Sequence, residues 1–282
     1  MQGRVIKINS SMYTVLLGDS VLECTLRGIF RKNNNSIIVG DFVEVNENEK
    51  IIEKLYPRKC ELIRPKVSNI DKILIVTSVK EPDLNLYLLD KMICYAEFLG
   101  LEIILIFTKI DLLREDDEYN YTINYYKNIG YKVILKDKLK VDEELKSIIN
   151  SSVVALAGQS GVGKSSLINL LSDLSLKTDK ISRALGRGKH TTRIVEFHSL
   201  LNGFIIDTPG FGNLEFEINT SSLKSCFIEF LEYNDCKFRE CLHIKEINCL
   251  VKSMVDNNTI LKSRYSNYLK IYNELKEKRY DY

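Results

Sequence analysis

The stretch "GQSGVGKSS", Gly158 to Ser166, leaves this chain few folds to choose from. It matches G-x-x-x-x-G-K-[ST], with the apolar run "SVVALA" before it and the amphipathic stretch "SSLINLLS" after it. A strand that turns through glycines into a helix presents backbone N–H groups and a positive helix terminus to an anion. The segment therefore reads as a phosphate-binding loop in an α/β sheet. Gly158, Gln159, Ser160, Gly161, Val162, Gly163 and Ser166 make up its expected nucleotide contacts; Lys164 would neutralise β and γ oxygens, and Ser165 would ligate Mg2+. The loop alone does not choose between ATP and GTP.

A second phosphate-side motif, "IIDTPGF", ends an apolar run in D-x-x-G 43 residues after Lys164. Asp207 would hold the Mg2+ shell through water, and the Gly210 N–H would meet the γ-phosphate. Between the two motifs lies "GRGKHTTR", where Thr192, with Thr191 as the alternative, is expected to close onto Mg2+ when the γ-phosphate is present. Phe211 stands where many GTPases place a water-orienting Gln, so the candidate for that task is His190. The competing reading of His190 is a solvated loop histidine. Without the Gln, hydrolysis should be slow until a partner orders the loop.

"FTKID", Phe107 to Asp111, resembles the base-selecting Asn-Lys-x-Asp motif of GTP-binding proteins, but it precedes the phosphate loop. Asp111 would accept the N1–H and N2–H2 of guanine, the stem of Lys109 would cover the base, and Thr108 and Ile110 complete the loop. Adenine offers no such donor pair, and an unpaired buried carboxylate is costly. In an open α/β sheet all ligand-binding loops lie at the carboxyl edge whatever order the chain visits them in, so a circular permutation preserves the pocket. Thr108 departs from the usual Asn and should weaken the loop's tether. A Ser-Ala-Lys-type base motif is expected near "KVILKDK", where Lys136 alone is suggestive and is left unassigned.

Around these motifs the hydropathy pattern changes twice. Short alternating runs, "GRVIKIN", "MYTVLL", "VLECTLRG", "DFVEV" and "IIEKL", predict a small antiparallel barrel over 1–66. Solid apolar runs at Ile73–Val76, Ile103–Phe107 and Val153–Leu156 predict buried parallel strands, with Leu84–Leu99 and Val141–Ile149 as crossover helices, in a domain over 67–212. "NENEK" and "REDDEYN" read as solvated loops. A mainly helical region over 213–282 carries "CKFRECLHIKEINC", which sets Cys236, Cys241, His243 and Cys249 as C-x4-C-x-H-x5-C, a closed tetrahedral donor set for one structural Zn2+. Cys24, Cys60, Cys94 and Cys226 have no grouping and read as buried thiols.

With 40 basic and 38 acidic residues, a uniformly basic surface is excluded and any nucleic-acid contact must be regional. Arg27, Arg31, Lys32, Arg58, Lys59, Arg64 and Lys66 could track RNA phosphates from the barrel, as solvated charges also would. No stretch approaches the length of a membrane span, and the expectation is a cytoplasmic, monomeric protein. The tail "SRYSNYLKIYNELKEKRY" predicts a basic, tyrosine-bearing helix, for RNA or for its own zinc region.

With barrel, permuted motifs and cysteine cluster in one chain, the sequence resembles the RsgA (YjeQ) family of circularly permuted, ribosome-dependent GTPases. "LRGIFRK", "VGDFVEV", "PRKCELIRP", "TKID", "GQSGVGKSSLIN", "GRGKHTTR" and "DTPGF" carry the likeness over nearly the whole chain. The resemblance implies an N-terminal OB-fold β-barrel, a circularly permuted α/β P-loop GTPase domain and a C-terminal zinc-binding domain. It also implies late maturation of the small ribosomal subunit as the role, with GTP hydrolysis stimulated by that subunit and its rRNA. Two other readings stand beside it: a signalling GTPase whose barrel binds protein, and a zinc-stabilised RNA-binding scaffold whose nucleotide switch turns over little.

Overall fold

Five of the alternating runs become β1 (Gln2–Asn9), β2 (Met12–Leu17), β3 (Ser20–Leu26), β4 (Phe42–Asn46) and β5 (Ile51–Leu55). They close a barrel in the order β1-β2-β3-β5-β4, the order of an OB fold. Alternation puts Val5, Val15, Val43, Val45 and Ile52 inside. One expectation is corrected: the barrel is not wholly antiparallel, since β3 and β5 pair in parallel, Thr25 opposite Ile51 and Leu26 opposite Ile52. The reason is parity, because β4 runs against both β1 and β5, which leaves β5 pointing the same way as β3.

The computed structural model describes residues 1–27, 36–63, 65–137, 142–164, 166–167, 197–200, 202–207 and 218–278. Arg31, Lys32, Arg64, Ser165, His190, Thr191, Thr192, Gly210 and Phe211 lie outside them, and of Asp207 only the backbone is described. The chain divides into two compact units, Met1–Lys72 with Leu139–Leu156 and Gly163–Phe211, and Ile73–Lys138 with Ala157–Val162 and Gly212–Tyr282.

In the first unit a buried carboxylate organises the barrel's exit. Asp41 accepts from the Ile38 N–H at 2.8 Å, the Ser68 hydroxyl at 2.6 Å and Arg58 Nε at 2.7 Å. Arg58 also bonds Glu61 at 2.6 Å and the Ser36 carbonyl at 2.7 Å, so its guanidinium is committed inside the protein rather than offered to solvent. Next come a short ribbon of β6 (Glu61–Leu62) and β7 (Val67–Ser68).

The second unit opens with β8 (Lys72–Ser78), α1 (Leu86–Phe98), β9 (Glu102–Thr108), α2 (Glu118–Asn128) and β10 (Lys132–Lys136), with the strands ordered β10-β9-β8. Every residue of β9 after Glu102 is buried, as expected of a strand covered on both faces. Asn85 caps α1 by accepting from the Leu88 N–H. "REDDEYN" is a correction, for only part of it is loop: Asp117 accepts from the Tyr119 N–H and caps α2, with Glu118 in its first turn.

Back in the first unit, α3 (Glu143–Ile149) leads to β11 (Val153–Gly158), followed by β12 (His198–Leu200) and β13 (Gly203–Asp207). β11 and β13 are parallel, with Val153 opposite Phe204 and Leu156 opposite Asp207. Phe197 fixes the chain entering β12: its N–H donates to the Ile6 carbonyl of β1 at 3.3 Å, and its buried ring lies 5.6 Å from the Arg4 guanidinium.

In the second unit the C-terminal helix Lys262–Lys278 packs on α1. Arg264 is wholly buried and joins three elements. Its Nε and Nη2 bond both oxygens of Glu229 at 2.8 and 2.9 Å, and its Nη1 bonds Asp90 of α1 at 2.8 Å. Asp90 also accepts from the Tyr126 hydroxyl at 2.5 Å and from Asn267 at 2.6 Å. Burial works against the Arg264 charge, but Glu229 and Asp90 outweigh it and hold the guanidinium pKa well above its ordinary value.

Candidate nucleotide and metal sites

The phosphate loop leaves β11, six residues of which are all buried. Gly158 sits at φ +145°, and a Cβ there would lie 2.0 Å from the Val76 carbonyl oxygen, so no other residue fits. Gly163, at φ +97°, turns the chain into the helix, whose first described bond runs from the Leu167 N–H to the Gly163 carbonyl at 3.0 Å. Lys164 is the first helical residue, half-buried, and Ser166 is exposed. In the parallel register Asp207, last residue of β13, stands level with Leu156, two residues ahead of Gly158.

The base motif follows β9 as a tight turn. Thr108 is buried and its hydroxyl donates to the Thr77 carbonyl at 3.2 Å, so the tether that Asn would make is replaced by one to the end of β8. The Val79 N–H returns a bond to the Thr108 carbonyl at 3.1 Å. Lys109 is left-handed at φ +58°, Ile110–Leu112 form one 3-10 turn, and Asp111 is exposed, its carboxylate without a partner among the described residues. Lys136 ends β10 directly opposite Thr108, which sets it beside the base loop.

Cys236, Cys241, His243 and Cys249 converge, their ligand atoms all within 4.8 Å of one another. His243 Nδ1 lies 3.6, 3.5 and 3.3 Å from the three sulfurs, and Cys236 and Cys249 Sγ are 4.0 Å apart. Tetrahedral bonds of about 2.0 Å to nitrogen and about 2.3 Å to sulfur require separations of roughly 3.6 and 3.8 Å, so the set fits a metal ion of that size. Burial raises the Cys249 thiol to about 12 and lowers the His243 imidazole below its usual value. A dication would reverse the first and accept the neutral ring. A surrounding layer fixes the cluster: Tyr265 and Tyr268 of the C-terminal helix donate to the His243 and Leu242 carbonyls at 2.7 and 2.5 Å, and Glu246 accepts the Leu242 and Ile244 N–H groups. The basic, tyrosine-bearing tail is thus docked on its own cysteine cluster. Cys24, Cys60, Cys94 and Cys226 are buried thiols.

Sequence reading missed Asp90, Glu229 and Arg264, which hold the C-terminal region on α1, and Lys80 and Asp117 beside the base loop. Asp117 carried a signal, an Asp directly before Glu118 and an amphipathic run. The others are single charges whose partners are remote in sequence.

Base, phosphate and D-x-x-G motifs at the carboxyl ends of parallel strands, in permuted order, define a circularly permuted P-loop GTPase carrying an OB-type barrel and a Cys3His cluster. The family model for the RsgA N-terminal domain matches residues 2–51, and that for RsgA GTPase matches residues 55–217. A protein from Caldanaerobacter subterraneus named small ribosomal subunit biogenesis GTPase RsgA is 43% identical, covering 99% of this chain and 97% of its own. One of the same name from Malacoplasma penetrans is 44% identical over 95% and 96%. Among solved structures, YloQ, described as a circularly permuted GTPase, matches with TM-score 0.83 at 34% identity over 98% of this chain and 95% of its own. YjeQ from Thermotoga maritima matches with TM-score 0.83 at 35% identity over 97% and 98%. The chain belongs to the RsgA GTPase family, and membership implies Mg2+ with the nucleotide. Among the described residues no helix is long and apolar enough to cross a membrane.

Proposed function

We propose that this GTPase hydrolyses GTP to GDP and phosphate in late maturation of the small ribosomal subunit, with that subunit and its rRNA as the partner that accelerates turnover. The observation that carries the reading is an open base-reading carboxylate, Asp111, and a glycine-constrained phosphate loop, in a chain that also folds a barrel of OB strand order. The client is the one for which the relatives are named. We assign the barrel to residues 1–66, the GTPase domain to 67–212 and the zinc-binding domain to 213–282, in a monomeric cytoplasmic protein.

In this reading Thr108, Lys109, Ile110 and Asp111 take the base. Gly158 to Ser166 take the phosphates, with Lys164 on β and γ oxygens. Ser165 and Thr192 hold Mg2+, which would neutralise charge on the phosphates; Asp207 holds its shell and Gly210 meets the γ-phosphate. Zn2+ at Cys236, Cys241, His243 and Cys249 is structural, since four protein donors leave no open position. His190 orients the attacking water once the partner has ordered its loop.

The test measures GTP turnover with and without purified small ribosomal subunits for wild type and His190→Ala. Subunits should accelerate wild type strongly, and the variant should still bind GTP and subunit while losing ~100-fold of the stimulated rate, the scale for one water-orienting group. Undiminished stimulation in the variant would move that role elsewhere. No stimulation of wild type would undo the ribosomal client and favour the nucleotide-binding scaffold.

A further inference from the structure

Two lysines cross between the loops that follow β8 and β9. Lys80, two residues beyond β8, sends its ammonium to the Leu112 carbonyl at 3.3 Å, inside the turn that carries Asp111. The same ammonium pairs with the Asp117 carboxylate at 2.7 Å, where Asp117 caps α2. In the opposite direction Lys109 donates to the Glu81 carbonyl in the β8 loop. The loop of Lys80 is itself pinned, by the Val79 N–H on the Thr108 carbonyl and by the Ser78 hydroxyl on the Pro82 carbonyl at 2.6 Å. The result is a reciprocal clasp around a three-residue turn whose only outward charge is Asp111.

We propose that Lys80, braced by Asp117, is a positioning residue for guanine recognition: it holds the Ile110–Leu112 turn so that the Asp111 carboxylate faces the base before nucleotide arrives. The inference rests on the reading of Asp111 as the base acceptor. Lys80 does not touch nucleotide. A short 3-10 turn has little stability of its own. Its Leu112 and Leu113 N–H groups bond within the turn, to the Lys109 and Ile110 carbonyls, which fixes its curl but not its direction. Lys80 supplies that direction by tying the turn's last carbonyl to the start of α2. An exposed ion pair contributes little by itself. Lys80 differs because its side chain is only 33% exposed, Asp117's 13%, and a carbonyl shares the ammonium.

The consequence is selective. If the clasp keeps the turn competent and its loss leaves it so a tenth of the time, apparent GDP affinity falls about tenfold. ADP gains nothing from Asp111 and is held by the phosphate loop alone, so its affinity stays. Saturated turnover should also stay, because the phosphate end is untouched, while KM for GTP rises.

The experiment measures GDP and ADP affinities by competition against a fluorescent guanine nucleotide for wild type, Lys80→Met, Lys80→Arg, Asp117→Asn and the double variant Lys80→Met with Asp117→Asn. Expected are an about tenfold loss of GDP-over-ADP preference in Lys80→Met and in Asp117→Asn, recovery in Lys80→Arg, and a double variant no worse than either single one. If Lys80→Met loses ADP binding as well, it is misfolded and Asp117→Asn decides. A preference unchanged within about twofold in Asp117→Asn and Lys80→Met overturns the clasp. No guanine preference in wild type overturns instead the base reading beneath it.

Discussion

Removing the charge of Arg264 should destabilise the second unit by about 3–5 kcal/mol, the range for deleting one partner of a buried ion pair. The side chain is fully buried and three of its nitrogens bond carboxylate oxygens at 2.8–2.9 Å. Arg264→Met retains much of the apolar stem against Phe227, whose ring lies 4.5 Å from the guanidinium, so the loss reports charge more than cavity. Asp90 would keep Tyr126 and Asn267 as donors, whereas Glu229 would keep no side-chain donor among the described residues. Glu229 is therefore the group stranded by the change, and adding Glu229→Gln should return part of the stability. At roughly 2–4 °C per kcal/mol for a unit of this size, the thermal midpoint should drop by roughly 6–20 °C. Burial already raises the Asp90 carboxyl, and losing the Arg264 charge that opposes this raises it further, so the penalty is full at neutral pH and fades as pH falls through that raised pKa. The gap between variant and wild type should accordingly narrow from about pH 7 to about pH 5. Urea unfolding followed by far-UV circular dichroism, beside scanning fluorimetry on zinc-loaded protein, reads both effects. A midpoint within about 1 kcal/mol of wild type at neutral pH, or a gap that widens on acidification, would refute the reasoning.

Three further outcomes are expected. Asp111→Asn should shift nucleotide preference from guanine toward xanthine, and equal ATP and GTP affinity in wild type would sink that assignment. Elemental analysis should find one Zn2+ per chain, and Cys241→Ser should loosen 218–278 to proteolysis while GTP binding persists; a metal-free protein equally resistant to protease would remove the metal. Arg58→Met should cost the barrel about 3 kcal/mol by leaving the buried Asp41 carboxylate without its counter-charge, whereas Lys59→Met, at a side chain 67% exposed, should leave stability unchanged, so equal losses would contradict the geometry.

The features legible in the sequence were those whose physics is local. Gly158 to Lys164 lies between a buried run and a helix start, and the four cluster residues fall within "CKFRECLHIKEINC", short enough for spacing to betray a common ligand. Strand identity was legible because Ile103–Phe107 and Val153–Leu156 are apolar without interruption. What was hidden depended on pairing at a distance. Arg264 reads as one more charge in a basic tail, and only the fold brings it to Asp90 and Glu229. The start of α2 was obscured because Asp116, Asp117 and Glu118 read as a solvated acidic loop, although Asp117 is a cap. Lys80 gave no signal, since a lysine after a strand is ordinary until its partner carbonyl is placed.

The Asp90–Arg264 bond also bears on synthesis. The two residues are 174 positions apart, and the cation is made long after the carboxylate. At about 5–20 residues per second the ribosome leaves Asp90 waiting roughly 10–30 s for its counterion. Through that interval α1 cannot bury the face that holds Asp90 without stranding a charge, so a nascent or truncated chain keeps that face in water. Only synthesis past Arg264 can seal it, which makes the closed α1 face a mark that the helix carrying Arg264 has been made and docked.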